Sequence, residues 1–133
     1  MWLFVFLPEM FKFPKKQRIS NETTIKKIFS EGNSISVESI LVIWKESFDI
    51  DTPSIKALIV VPKKKVKLAV HRNSIKRKIK EAYRLNKSEI ENILKAKEIK
   101  LHVAIIYQNE NDLSFNKMEE KIKLILNRLL QKI

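Results

Sequence analysis

The sequence predicts a single-domain α+β sandwich, a mixed sheet with its helices on one side, and three observations point to it. Segments of helical and of strand character follow in the order helix, strands, helix, strand, helix, with no repeat and no interdomain linker. A chain of 133 residues is long enough to bury one core but not two. The run Leu101-His102-Val103-Ala104-Ile105-Ile106-Tyr107 is apolar almost throughout and reads as a core strand.

The first helix is capped by Ser20 or Asn21 and runs to about Ser30, with Ile25, Ile28 and Phe29 as its inward face. Gly32, the chain's one glycine, stands where a left-handed C′ residue would stop that helix. From about Val37 to Phe48 the run Ile40-Leu41-Val42-Ile43-Trp44 has the β-branched composition of a strand. A turn through Asp49 to Ser54, with Pro53 inside it, leads to a second strand, Ile55 to Val61. These two are expected to form an antiparallel hairpin. A strongly basic helix follows, extended or continued after Asn86 by a segment containing Ile90, Ile93 and Leu94. Beyond the core strand, Asn109 to Ser114 is a polar loop. Ser114 or Asn116 then opens a terminal helix striped with Met118, Ile122, Ile125, Leu126 and Leu129.

Function is written most clearly in the run from Val61 to Arg84, which holds no acid before Glu81. Concentrated like charge opposes the compact state, so such a run answers to a polyanion outside the chain. Ile75, Ile79 and Ala82 recur at helical spacing and mark the buried face. At about 100° per residue, Asn73, Lys76, Arg77, Lys80 and Arg84 form a separate stripe, with none of the Glu–Lys mixing of an ordinary solvated face. Asn73 or Ser74 can serve as N-cap, and the free N–H groups there, beside Arg72, would suit a phosphate oxygen.

Composition narrows the partner. The formal net charge is +12 and the pI near 9.9, which favours RNA, DNA or an anionic membrane. No cysteine is present, which excludes disulfides, thiolate metal sites and a thiol nucleophile. His71 and His102 are too few for a histidine metal cluster, and His102 reads as a partly buried strand residue. Glu22, Glu31, Glu38, Glu46, Asp49 and Asp51 are scattered, with no paired-carboxylate or glycine-rich phosphate motif. The polypeptide itself is unequipped for hydrolysis, and no catalytic residue is assigned to it. Met1 to Pro8 is apolar but lacks the preceding positive charge and the cleavage site of a signal peptide. Met10 is the expected physiological start, and residues 1–15 are read as an extension to a domain spanning 16–133.

Ala69-Val70, Arg72-Asn73, Ile75-Lys76-Arg77 and Lys80-Glu81-Ala82-Tyr83-Arg84 resemble the signature of the bacterial ribonuclease P protein subunit. Arg18-Ile19, Ile28-Phe29-Ser30-Glu31-Gly32 and Val60-Val61-Pro62-Lys63-Lys64 extend the resemblance to most of the chain. It implies a left-handed strand-helix-strand crossover, where the general rule predicts a right-handed one. It also implies a cytoplasmic protein that binds the catalytic RNA and the 5′ leader of precursor tRNA, one protein to one RNA. Mg²⁺ and the cleavage chemistry would reside in that RNA. Arg72, Asn73, Lys76, Arg77, Lys80 and Arg84 would meet the catalytic RNA, with Lys64 and Lys65 extending the basic surface. A second surface, a cleft between the first helix and the sheet, would hold the leader by base stacking. Phe29 matches a family aromatic there, Ile25 stands where the family often has phenylalanine, and Trp44 or its neighbour Ile43 supplies the strand position. Tyr107 is the remaining candidate for that cleft.

Readings from other classes fit less well. A structural RNA-binding protein of ribosomal type shares the charge, size and fold class. A helix-turn-helix DNA binder would need a positioning helix where the sequence reads as strand. A membrane-surface helix would need a broad Trp/Phe/Leu face that the basic segment lacks.

Overall fold

The computed structural model describes residues 13–48 and 53–133, so the start at Met10, most of the preceding extension and most of the turn after Phe48 lie outside the described residues. A 3₁₀ turn (Lys15–Gln17) is followed by α1 (Glu22–Glu31), β1 (Asn33–Val37), β2 (Ile40–Ser47), β3 (Ile55–Val60), α2 (Ala69–Asn86), α3 (Ser88–Lys97), β4 (Lys100–Tyr107) and α4 (Phe115–Lys132). Asn21 caps α1, its Oδ1 accepting from the N–H of Thr23 at 2.9 Å and of Thr24 at 3.3 Å. Ser114 caps α4 by accepting from the N–H of Lys117.

The sheet order is β1-β2-β4-β3. β2 is antiparallel to both β1 and β4, and β3 runs parallel to β4. The hairpin therefore differs from the expected one. The predicted strand from Val37 breaks at Glu38, whose φ of 46° makes a tight turn with Ser39, and β1 folds back so that Val37 faces Ile40. β1 escapes a reading by hydrophobicity because Asn33-Ser34-Ile35-Ser36-Val37 is mostly small and polar. β2 and β3 do not pair because β4 lies between them. β4 is apolar on both faces, with Leu101, Val103, Ile105 and Tyr107 on one and Ala104 and Ile106 on the other, all buried. Such a strand is stabilised most by a central position.

The two apolar faces of β4 also require cover on both sides of the sheet, which corrects the expectation of helices on one side. Ile75, Ile79 and Tyr83 of α2, Ile90 and Leu94 of α3 and the stripe of α4 pack with Val42, Ala57, Val103 and Ile105. On the other face Ile28 and Ile25 of α1 pack with Ile19, Ile43, Leu58 and Ala104. Successive strand side chains point to opposite faces, so Val42 and Ile43 belong to different layers.

Helix ends differ from the expected ones in two places. α2 begins at Ala69, one turn before Asn73, so Asn73 and Ser74 lie in the helix body and neither is the N-cap. Leu68 holds the cap position, and Arg72 turns back to donate to Val66 O at 3.0 Å and Lys67 O at 2.7 Å. The expected phosphate seat beside Asn73 is therefore not formed. Gly32 does end α1, but with extended backbone, φ −74° and ψ 155°. Its role is close approach: an added Cβ would lie 2.4 Å from Ile28 O and 2.7 Å from Ile43 Cγ2.

The left-handed cap is found instead at Glu98, φ 58°, which closes α3 through its N–H to Lys95 O. A side chain in that conformation costs about 1 kcal/mol that glycine avoids. Glu98→Gly is expected to raise the unfolding free energy by roughly that amount in urea denaturation. An unchanged midpoint would show that Glu98 sits there without strain.

Candidate nucleic-acid interface

Burial of Ile75, Ile79, Ala82 and Tyr83 fixes the rotation of α2 about its axis. Asn73, Lys76, Arg77, Lys80 and Arg84 then face one groove of about 540 Å³, as the stripe predicts. The opposite wall is new: it is a strap formed by Phe13, Pro14 and Arg18. Phe13, which the sequence reading leaves in the extension ahead of residue 16, is buried.

The strap is held by several weak contacts acting on one ring. The Phe13 ring meets Tyr83 edge-on at 5.1 Å between centroids, and the Arg18 guanidinium lies 5.3 Å over it. Arg18 Nε and Nη2 also donate to Phe13 O at 3.2 and 2.9 Å. Lys87, at the joint between α2 and α3, is only 1% exposed. Its Nζ donates to Gln17 Oε1 at 2.5 Å and lies 6.0 Å from the centre of the Phe13 ring. Glu91 Oε1 is 3.0 Å away, a charge contact rather than an aligned hydrogen bond. Downstream, the N–H of Ile19 donates to Ala57 O at 3.0 Å, which ties the strap to the edge of β3.

One acid enters the groove, against the expectation of an acid-free stripe. Glu81 accepts from Arg84 Nε at 3.0 Å and Nη2 at 2.5 Å. The Arg84 hydrogen bond holds its carboxyl below the usual range despite partial burial, so it is ionised at neutral pH.

Of the eight basic-surface residues singled out in the sequence, five line the groove. Arg72 is engaged with backbone carbonyls, and Lys64 and Lys65 are exposed in the turn before α2, outside the groove lining. The groove residues that the sequence reading missed are Phe13, Pro14, Arg18 and Glu81. The signal for the strap was an aromatic-proline pair just ahead of a basic segment.

The leader-cleft candidates separate more sharply. Phe29 is 46% exposed on α1 and does not face inward as expected. Ile25 is half-buried in the small cluster under α1. Trp44 packs against the main core, on the sheet face away from α1, and it is Ile43 that faces the helix. A shift of one residue along a strand reverses the face. Tyr107 is fully buried in the main core, its hydroxyl donating to Asn111 O, so its ring is not available for stacking.

Among the described residues no cluster of three or more His, Cys, Asp and Glu could hold a metal ion, and no helix is long and apolar enough to cross a membrane. The ribonuclease P family model matches residues 13–130, beginning at the buried strap phenylalanine. The chain belongs to the ribonuclease P protein family. A ribonuclease P protein component of Porphyromonas gingivalis is 28% identical over 122 residues, covering 92% of this chain and 89% of that one. One from Pseudoalteromonas translucida is 35% identical over 85 residues, covering 64% and 59%. The RNase P protein structure from Staphylococcus aureus superposes with a TM-score of 0.69 at 23% identity, over 85% of this chain and 94% of that one. That from Thermotoga maritima gives 0.65 at 23%, over 84% and 96%. These structures share the fold. As a ribonuclease P protein, the chain is an RNA-binding component of an endoribonuclease complex in tRNA processing.

Proposed function

We propose that this chain docks the catalytic RNA of ribonuclease P along the groove between the strap and α2. It holds the 5′ leader of precursor tRNA on the α1 side of the sheet. The observation that carries the reading is the gathering of Arg18, Lys76, Arg77, Lys80 and Arg84 around one groove. Cations so placed neutralise phosphates and release counterions, which lowers repulsion between two polyanions. The groove does not fit a Mg²⁺ site, since its one carboxylate is already taken by Arg84. Cleavage and its metal are therefore assigned to the RNA, with the protein as a 1:1 monomeric partner in the cytoplasm. Phe29, exposed on α1, is the aromatic proposed to stack on the leader, with Ile25 as apolar support beside it.

Reconstitution tests the reading. The chain added to a bacterial ribonuclease P RNA should stimulate precursor tRNA cleavage at low Mg²⁺; absence of stimulation would overturn it. Lys76→Ala and Arg77→Ala are each expected to weaken affinity for the RNA and to flatten the salt dependence by up to about one unit of log–log slope. Phe29→Ala should instead reduce discrimination of precursor from mature tRNA about fivefold, the loss of roughly 1 kcal/mol of stacking. If both sets of variants change the same quantity, the two surfaces are not separate.

A further inference from the structure

We infer that Arg72 is a positioning residue: it holds the turn from Pro62 to Leu68 in the shape that presents Lys63, Lys64, Lys65 and Lys67 to phosphates of the bound RNA, and makes no phosphate contact itself. The inference rests on the RNA-docking reading and extends it to a second cationic surface, ahead of the groove along α2. Arg72 precedes the groove residue Asn73 in sequence but does not line the groove. Its side chain is committed to the turn instead.

Successive carbonyls at the end of that turn all accept from this one residue. Arg72 Nη1 donates to Val66 O at 3.0 Å and to Lys67 O at 2.7 Å, and its backbone N–H donates to Leu68 O at 3.1 Å. The helical ladder of α2 begins at Leu68 O, so neither of the two preceding carbonyls has a partner in it. The other end of the turn is closed by Pro62 O, which accepts from the N–H of Lys65 at 3.2 Å and of Val66 at 3.1 Å. Val66, buried between the exposed Lys65 and Lys67, pins the middle to the main core. A planar guanidinium with fixed donor directions suits a clamp on adjacent carbonyls better than a flexible ammonium does.

What the clamp presents is concentrated charge. Lys63, Lys64, Lys65 and Lys67 are all exposed, and among the described residues none of them pairs with an acid. A loose segment would spread such charges apart, because they repel. Fixing them before the RNA arrives moves the ordering cost from binding to folding, which raises affinity without adding a contact. A clamp and a contact therefore differ in their effect on salt dependence. Removing a phosphate contact reduces the counterions released and flattens the log–log slope, whereas loosening the turn lowers affinity alike at every salt concentration.

The test combines backbone ¹⁵N relaxation of the free, full chain with its affinity for a bacterial ribonuclease P RNA over a salt series. Arg72→Ala is expected to lower the heteronuclear NOE of Lys63 to Lys67 and to weaken binding about fivefold at each salt concentration, with the slope changed by less than about a third of a unit. Arg72→Gln, which keeps an amide donor for a carbonyl and carries no charge, should hold the slope and lose less affinity than Arg72→Ala. Lys64→Ala combined with Lys65→Ala should leave the turn ordered and flatten the slope by up to about two units. Flattening by about one unit in Arg72→Gln, or a turn as ordered in Arg72→Ala as in the unaltered chain, would overturn the inference. Unchanged affinity in Arg72→Ala despite a loosened turn, or an unchanged slope in the double lysine variant, would overturn it too. Any of these results would leave RNA docking standing if the unaltered chain still stimulates cleavage in reconstitution. Loss of that stimulation would instead remove the reading on which the inference depends.

Discussion

Gly32→Ala is expected to lower the unfolding free energy by about 2–3 kcal/mol, the range for forcing an atom into a filled site. The added Cβ would meet two groups that cannot swing aside. Ile28 O, 2.4 Å away, is a backbone atom already accepting from the Gly32 N–H, and Ile43 Cγ2, 2.7 Å away, sits under α1 in the small core. Relief requires α1 to move relative to β2. The Glu31–Lys45 ion pair at 2.9 Å, which joins these elements, would be disturbed with it. Because Phe29 lies one turn before the junction, the same displacement should weaken leader discrimination. Urea denaturation is the first measurement; a loss below about 1 kcal/mol would show that the junction is loose enough to absorb a methyl group.

Lys87→Met is expected to cost about 3 kcal/mol, the low end for removing one partner of a buried ion pair. Glu91 would be left without its cation and Gln17 without its donor, while the methionine keeps most of the buried stem. Replacing both charges, Lys87→Met with Glu91→Met, should recover most of the loss, since an apolar pair of similar volume has no charge to desolvate. The single variant should also loosen the strap through Gln17, so its affinity for ribonuclease P RNA should fall more than a neutral surface change would explain. A cost below about 1 kcal/mol, or a double variant no better than the single, would show that the strap is held by the Phe13, Arg18 and Ile19 contacts without help from the Lys87–Glu91 pair.

The basic stripe was legible in the sequence because a helix obeys a local rule. Ile75, Ile79 and Ala82 fix which way it faces, and the positions of Asn73, Lys76, Arg77, Lys80 and Arg84 follow from spacing. The start of that helix was less legible. Asn73 has the preferred capping chemistry, but Arg72 satisfies the carbonyls of Val66 and Lys67 and lets the helix begin at Ala69. Gly32 was located correctly and explained wrongly, since a stop by left-handed backbone and a stop by crowding leave the same residue in the sequence.

The pairing of strands was not legible at all. Contiguity favoured β2 with β3, yet the alternation of apolar residues on both faces of β4 demanded a central place and cover from both sides. That demand also decided the fates of Trp44 and Tyr107, whose ring chemistry suits base stacking but whose strand parity sends them to the main core.

By itself, then, the amino-acid order determined the charge, the absence of thiol chemistry, the amphipathic helix and the polyanionic character of its partner, all properties of residue type and short-range period. Tertiary structure alone decided that Phe13, Pro14 and Arg18 form the second wall of the groove, with Lys87 and Gln17 behind them, about 70 residues apart in sequence. No local period connects such distant groups. They meet because a buried ring needs neighbours and a buried lysine needs partners, and only the folded chain brings both needs to one place.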